Sequence, residues 1–62
     1  MWYLVITGGT EPIRKAYRTP SLVCEAIIKA DYYYRALKEQ RTLQIQNETG
    51  ITFYTCNTTY LN

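Results

Sequence analysis

The chain has 62 residues, of which 47% are apolar and 19% are charged, and its net charge is +2. This composition is not that of a disordered tail, and the length suits a single domain (residues 1–62) with a small core. The sequence contains no histidine, so it lacks the commonest general base and the commonest zinc ligand.

A strand is predicted at residues 2–7, which are aromatic or β-branched except for one leucine and stop at a Gly-Gly turn signal. Both faces of this strand are apolar, which favours a central position in a sheet. Residues 13–18 follow Pro12 and alternate loosely between apolar and polar side chains. We expect them to form a second strand that pairs back on the first, with an extended arm as the alternative.

The start of the chain bears on localisation. Met1 leads straight into the apolar strand, without a basic segment or a small-residue cleavage site. The apolar run is also too short to cross a membrane. We therefore expect a cytoplasmic protein with reduced thiols and no membrane partner.

An amphipathic helix is predicted at residues 19–40. Thr19 is a favourable N-cap, and Pro20 takes the first helical position, where a missing N–H costs nothing. Placing residues at steps of about 100° gives one apolar arc of about 140°. The arc contains Leu22, Val23, Ala26, Ile27, Ala30, Tyr33, Tyr34 and Leu37. We expect this arc to face the core.

A hairpin follows at residues 42–57. Its first strand alternates with period two, and Gly50 suits the left-handed position of a three-residue loop. The resulting register opposes Ile45 to Phe53 and Gln44 to Tyr54. Residues 58–62 are predicted to be a polar tail. The fold predicted is α+β, a single helix packed on one face of a three- to four-stranded antiparallel sheet in β-β-α-β-β order.

Enzymatic chemistry finds little support in the sequence. No histidine is present to serve a nucleophile, and the Thr-Gly-Gly-Thr turn at residues 7–10 is not followed by the lysine and helix of a phosphate loop. We predict a protein that is not an enzyme and has no cofactor and no metal. Cys24 lies on the outer arc of the helix, and the predicted register turns Cys56 to the open face of the sheet. The two thiols are therefore expected to point apart.

The face of the sheet that the helix leaves open is the first candidate binding surface. Either Trp2 or Tyr3 must point outward there, and the predicted register adds Tyr54, with Arg14 and Arg18 at the flank. Aromatic rings interleaved with arginines suit single-stranded nucleic acid, but they equally suit a protein partner or a homodimer. Tyrosine is also simply a good strand former. The small net charge favours a protein over a nucleic acid as the partner.

The outer face of the helix is the second candidate. Ile28 and Tyr32 lie one turn apart on that face, close to Glu25 and Arg35. An exposed apolar pair among charges can anchor a protein interface. A lone exposed pair is also common and needs no functional explanation.

The order of elements supports a function by resemblance. The chain contains, in order, a strand ending in Thr-Gly, an extended basic segment, the helix SLVCEAIIKA and a hairpin. This order resembles that of many small phage and mobile-element proteins, including some anti-CRISPR inhibitors, and also that of antitoxin domains. The resemblance is one of size and order and carries no motif. It implies a small inhibitor or adaptor that binds another protein. A single-stranded nucleic-acid-binding module and a structural or dimerisation subunit are the alternatives.

Overall fold

A computed structural model describes residues 1–58 and shows one helix packed on a four-stranded antiparallel sheet. The elements are β1 (Trp2–Thr7), β2 (Ile13–Tyr17), α1 (Pro20–Ala36), β3 (Thr42–Gln46) and β4 (Thr52–Asn57). The strand order is β2-β1-β3-β4. The predicted α+β class and β-β-α-β-β order are confirmed, and so is the central position of β1.

Helix α1 begins as predicted and ends earlier than predicted. The hydroxyl of Thr19 accepts a hydrogen bond from the backbone N–H of Leu22 at 3.2 Å. At the other end, Lys38 takes a φ of 57°. Its N–H donates to the carbonyl of Arg35, and the N–H of Glu39 donates to that of Tyr34, both at 3.0 Å. This is the hydrogen-bond pattern of a Schellman motif, so the predicted helical end at residue 40 was wrong.

The β3–β4 hairpin contains the predicted turn and an unpredicted bulge. Gly50 has a φ of 86°, and the N–H of Asn47 donates to the carbonyl of Ile51 at 3.1 Å. The register shifts by one residue within the ladder, so that Ile45 pairs with Tyr54 and Gln46 pairs with Thr52. The predicted opposition of Ile45 to Phe53 was therefore wrong, because Phe53 is the extra residue of a β-bulge.

The core lies between α1 and the two central strands. Six apolar side chains are buried there: Leu4, Ile6, Val23, Ile27, Leu43 and Ile45. Four neighbouring strands span about 14 Å between the outer strand axes, whereas one helix is about 10 Å wide. The helix packs mainly on β1 and β3. The helix-side surfaces of β2 and β4 are therefore only partly covered.

The incomplete cover has consequences for the helical arc. Val23 and Ile27 are buried and Tyr34 packs against the core, as predicted. Tyr33 is 58% exposed, and Leu22 and Leu37 are also exposed. The prediction that these three side chains face the core was wrong, because they lie outside the region in which the helix and the sheet cover each other.

Residue Thr58 closes the described part of the chain. Its side chain is buried; the hydroxyl accepts from the N–H of Arg41 at 2.7 Å and donates to the carbonyl of Glu39 at 2.9 Å. Thr58, the first residue of the predicted polar tail, is thus part of the folded domain, and the rest of that tail, residues 59–62, lies outside the described residues. Within residues 1–58, no helix combines the length and the apolar character needed to span a membrane.

Candidate protein-binding surface

The open face of the sheet carries only part of the predicted aromatic surface. Trp2 packs against the core, so Tyr3 is the ring that points to the open face. The guanidinium of Arg14 lies over this ring, 3.7 Å from its centroid. This cation–π contact occupies one side of the half-buried Tyr3 ring. Arg18 follows β2 and is exposed.

Along β3 and β4 the open face is a row of polar side chains. The side-chain amide of Gln46 donates to the hydroxyl of Thr52 at 3.2 Å and to the amide oxygen of Gln44 at 3.4 Å. These groups therefore satisfy one another. Within residues 1–58 no further aromatic ring joins them, since the pairing with Ile45 turns Tyr54 to the helix side. The prediction that placed Tyr54 on the open face was wrong.

A cleft between α1 and β4 is lined by apolar side chains, some of them from the buried core and some of them exposed. We call it the α1–β4 cleft. It encloses about 400 Å³ and is lined by Trp2, Pro20, Val23, Cys24, Ile27, Ile28, Ile45, Phe53 and Tyr54. None of these side chains is charged, so the lining suits an apolar occupant.

Three lining residues are strongly exposed and form the rim of the cleft. Ile28 is 69% exposed on the helical wall, and Phe53 and Tyr54 are 60% and 52% exposed on the strand wall. The bulge explains the strand wall, because it lets two consecutive residues of β4 lie on the helix side. The Phe53 ring is also held by an edge-to-face contact with Trp2, with 5.3 Å between centroids.

Tyr32 and Arg35 extend the surface along the helix. Tyr32, one turn after Ile28, is 76% exposed. The Nε of Arg35 donates to both carboxylate oxygens of Asp31, at 2.9 and 3.0 Å. The structure thus brings the predicted residues Ile28, Tyr32, Arg35 and Tyr54 to one side of the molecule, and leaves Tyr3 and Arg14 on the other.

The charged end of this surface lies close to Cys56. Burial raises the pKa of the Cys56 thiol above its ordinary value, and the Asp31 carboxylate adds to the rise, while Arg35 and a hydrogen bond with Tyr54 oppose it. Cys56 packs against the core, so the prediction that it faces away from the helix was wrong. Cys24 and Cys56 are both free thiols.

A second groove lies between α1 and β2, and sequence reasoning missed it. It encloses about 700 Å³ and combines the apolar Ile13, Leu22 and Tyr33 with the charged Lys15, Glu25 and Lys29. The exposed edge of the apolar arc was the signal that could have revealed it. Its mixed charges make it a less apolar surface than the α1–β4 cleft.

Within residues 1–58, no three histidine, cysteine or acidic side chains are grouped as a metal site would require. No described side chain carries a buried polar atom without a hydrogen bond. The chain matches no family model, no curated protein and no solved structure.

Proposed function

We propose that this protein acts by binding another protein through the α1–β4 cleft and the adjoining outer face of α1, as a small inhibitor or adaptor without catalytic activity of its own. The observation that carries the proposal is the rim of the cleft. Ile28, Phe53 and Tyr54 are each more than half exposed, although they surround an entirely uncharged lining. Such a contiguous apolar patch is characteristic of an interaction site.

The composition of the surface also fits a protein partner. Tyrosine and phenylalanine are enriched at interfaces, where large rigid rings gain contact area at little cost in conformational entropy. The Trp2–Phe53 contact restricts the Phe53 ring before any partner arrives, which lowers the entropic cost of binding. Tyr32 and the Asp31–Arg35 ion pair supply the polar periphery that usually surrounds the apolar centre of such interfaces.

The open face supports a nucleic-acid partner less well. Stacking on a base requires a free aromatic face, and the Arg14 guanidinium already lies over one side of the Tyr3 ring. The side-chain amide of the neighbouring Gln46 already donates hydrogen bonds to Gln44 and Thr52. We therefore favour the helix side of the molecule as the binding surface.

The proposal is tested by affinity capture from a lysate of the native source, with proteins identified by mass spectrometry and nucleic acid stained in the same eluate. The variant Ile28→Ser/Tyr54→Ser removes apolar rim groups from both walls. Leu22→Ser is the matched control, because Leu22 is an exposed apolar residue on the opposite, β2-facing side of α1. Circular dichroism verifies that each variant is folded.

We expect a discrete set of proteins that the wild type and Leu22→Ser both capture and that Ile28→Ser/Tyr54→Ser does not. Equal capture by all three proteins would refute the proposed surface. Retention of nucleic acid that falls on replacing Arg14 and Arg18 would instead support the open face.

A further inference from the structure

The two edges of the sheet differ in chemistry. The outer strand β2 carries Arg14 and Lys15, is preceded by Pro12 and is followed by Arg18. Proline and positive charge are the usual means by which an edge strand is protected against pairing with another strand. The opposite edge, β4, has the sequence Thr-Phe-Tyr-Thr-Cys-Asn and no charged side chain. Only one of the two edges is therefore protected by charge.

The outer edge of β4 presents regularly spaced backbone N–H and C=O groups. The N–H of Thr58 donates to the carbonyl of Arg41 at 2.9 Å, which fixes the phase of the β3–β4 ladder. Because alternate residues of an antiparallel ladder bond to the same neighbour, Cys56 and Tyr54 direct their N–H and C=O groups toward β3. The corresponding groups of Thr55 and Asn57 point outward, where no strand of the described residues lies.

We infer that the β4 edge pairs with the β4 edge of a second copy, antiparallel and about a two-fold axis, giving one continuous eight-stranded sheet. An uncharged edge meets its own copy without repulsion, whereas two β2 edges would bring Arg14 and Lys15 against their copies. Pairing β4 with β2 of another copy would not close and would form filaments. The inference goes beyond the proposed function, because it is drawn from the β4 edge alone and places a second copy on the same side of the molecule as the α1–β4 cleft.

The geometry of such a dimer also accounts for the exposed rings. Each α1 lies between β1 and β3, so the two helix axes would be about 19 Å apart, or four strand spacings. About 9 Å remains between the two helix surfaces. Phe53 and Tyr54 of both copies lie under this gap and line its floor, and Ile28 lies on each wall. Four partly exposed rings bury less area than a standard interface, so we expect reversible association.

The experiment is sedimentation velocity of the full 62-residue chain from about 10 µM to about 1 mM, a range that reveals weak dimers. Thr55→Pro removes the outward N–H while leaving the β3 ladder intact, as proline is tolerated on that side of an edge strand. Thr55→Lys brings two positive charges together near the two-fold axis. Thr55→Val is the control, because it keeps both the N–H and the β-branched side chain.

We expect wild type and Thr55→Val to shift from monomer to dimer with rising concentration. Both Thr55→Pro and Thr55→Lys should raise the dissociation constant at least about tenfold. Hydrogen exchange gives a second measurement, since the amides of Thr55 and Asn57 should become protected as the wild type dimerises.

A wild type that stays monomeric across the range, or a dimer that neither Thr55→Pro nor Thr55→Lys weakens, would overturn the inference. Cleft-dependent capture of a different protein by a monomeric chain would still support the proposed function. Loss of cleft-dependent capture together with an intact β4 dimer would overturn the proposed inhibitor or adaptor role and leave the dimer standing.

Discussion

The substitution Lys38→Gly should stabilise the protein. Lys38 has a φ of 57°, and this left-handed conformation costs a residue with a Cβ roughly 1–2 kcal/mol. Glycine avoids that cost but loses about 0.5–1 kcal/mol more than other residues through the entropy of its unfolded state. The difference predicts a gain of about 0.5–1 kcal/mol in the free energy of unfolding, which raises the melting temperature by roughly 2–8 °C for a domain of this size.

Urea denaturation followed by circular dichroism measures the free energy, and a thermal melt measures the temperature shift. Lys38→Ala is the control, because it removes the same charge near the end of α1 while keeping the Cβ. We expect Lys38→Gly to be more stable than Lys38→Ala by at least about 0.5 kcal/mol. Equal stability of the two variants would show that the left-handed backbone conformation at Lys38 does not cost the protein measurable stability.

Two other predictions concern buried groups. Thr58→Val keeps the shape of the side chain but leaves the N–H of Arg41 without its acceptor, so the free energy of unfolding should fall by about 1–3 kcal/mol. The control Thr55→Val, at an exposed site, should change the free energy of unfolding by less than about 0.5 kcal/mol. Equal effects of the two substitutions would contradict the role of the Thr58 hydroxyl. Iodoacetamide at mildly alkaline pH should modify the exposed Cys24 well before the half-buried Cys56, because burial shields the Cys56 thiol and its raised pKa lowers the fraction present as thiolate. Peptide mass spectrometry follows the two rates. Equal rates in the folded protein would contradict the prediction, and in denaturant the two rates should converge.

Much of the fold follows from local signals in the sequence. Thr19 and Pro20 fix the start of the helix, and Gly50 fixes the hairpin turn, because each acts through its own backbone or side chain. The apolar residues on both faces of β1 indicated a central strand, and β1 does lie between β2 and β3. These features needed no knowledge of distant contacts.

The end of the helix and the bulge were not predictable in the same way. No glycine or asparagine marks the end of α1, and Lys38 takes the left-handed conformation that such residues usually occupy. Within β4, consecutive Phe53 and Tyr54 gave no alternation from which to choose the partner of Ile45. The single extra residue then places residues 54–56 on the face of the sheet opposite to the one that the predicted register gave them.

The candidate site was predicted in part. The exposure of Ile28 and Tyr32 is observed, because helical periodicity assigns positions on an isolated helix well. Their role in binding stays a prediction. Phe53, Trp2 and Pro20 were missed as members of the same surface, since their proximity to Ile28 depends on the bulge and on where the helix crosses the sheet.

The bulge at Phe53 has a practical consequence for engineering this chain as a scaffold. A library that randomises every second position of β4 assumes strict alternation, and would vary one of the two neighbouring aromatic positions while freezing the other as if it were framework. The variable set should instead include both Phe53 and Tyr54 and then resume at Cys56. Deleting Phe53 should restore alternation and leave Tyr54 as the single aromatic side chain that β4 directs toward the helix, which would separate the contribution of the second β4 ring from that of the strand itself.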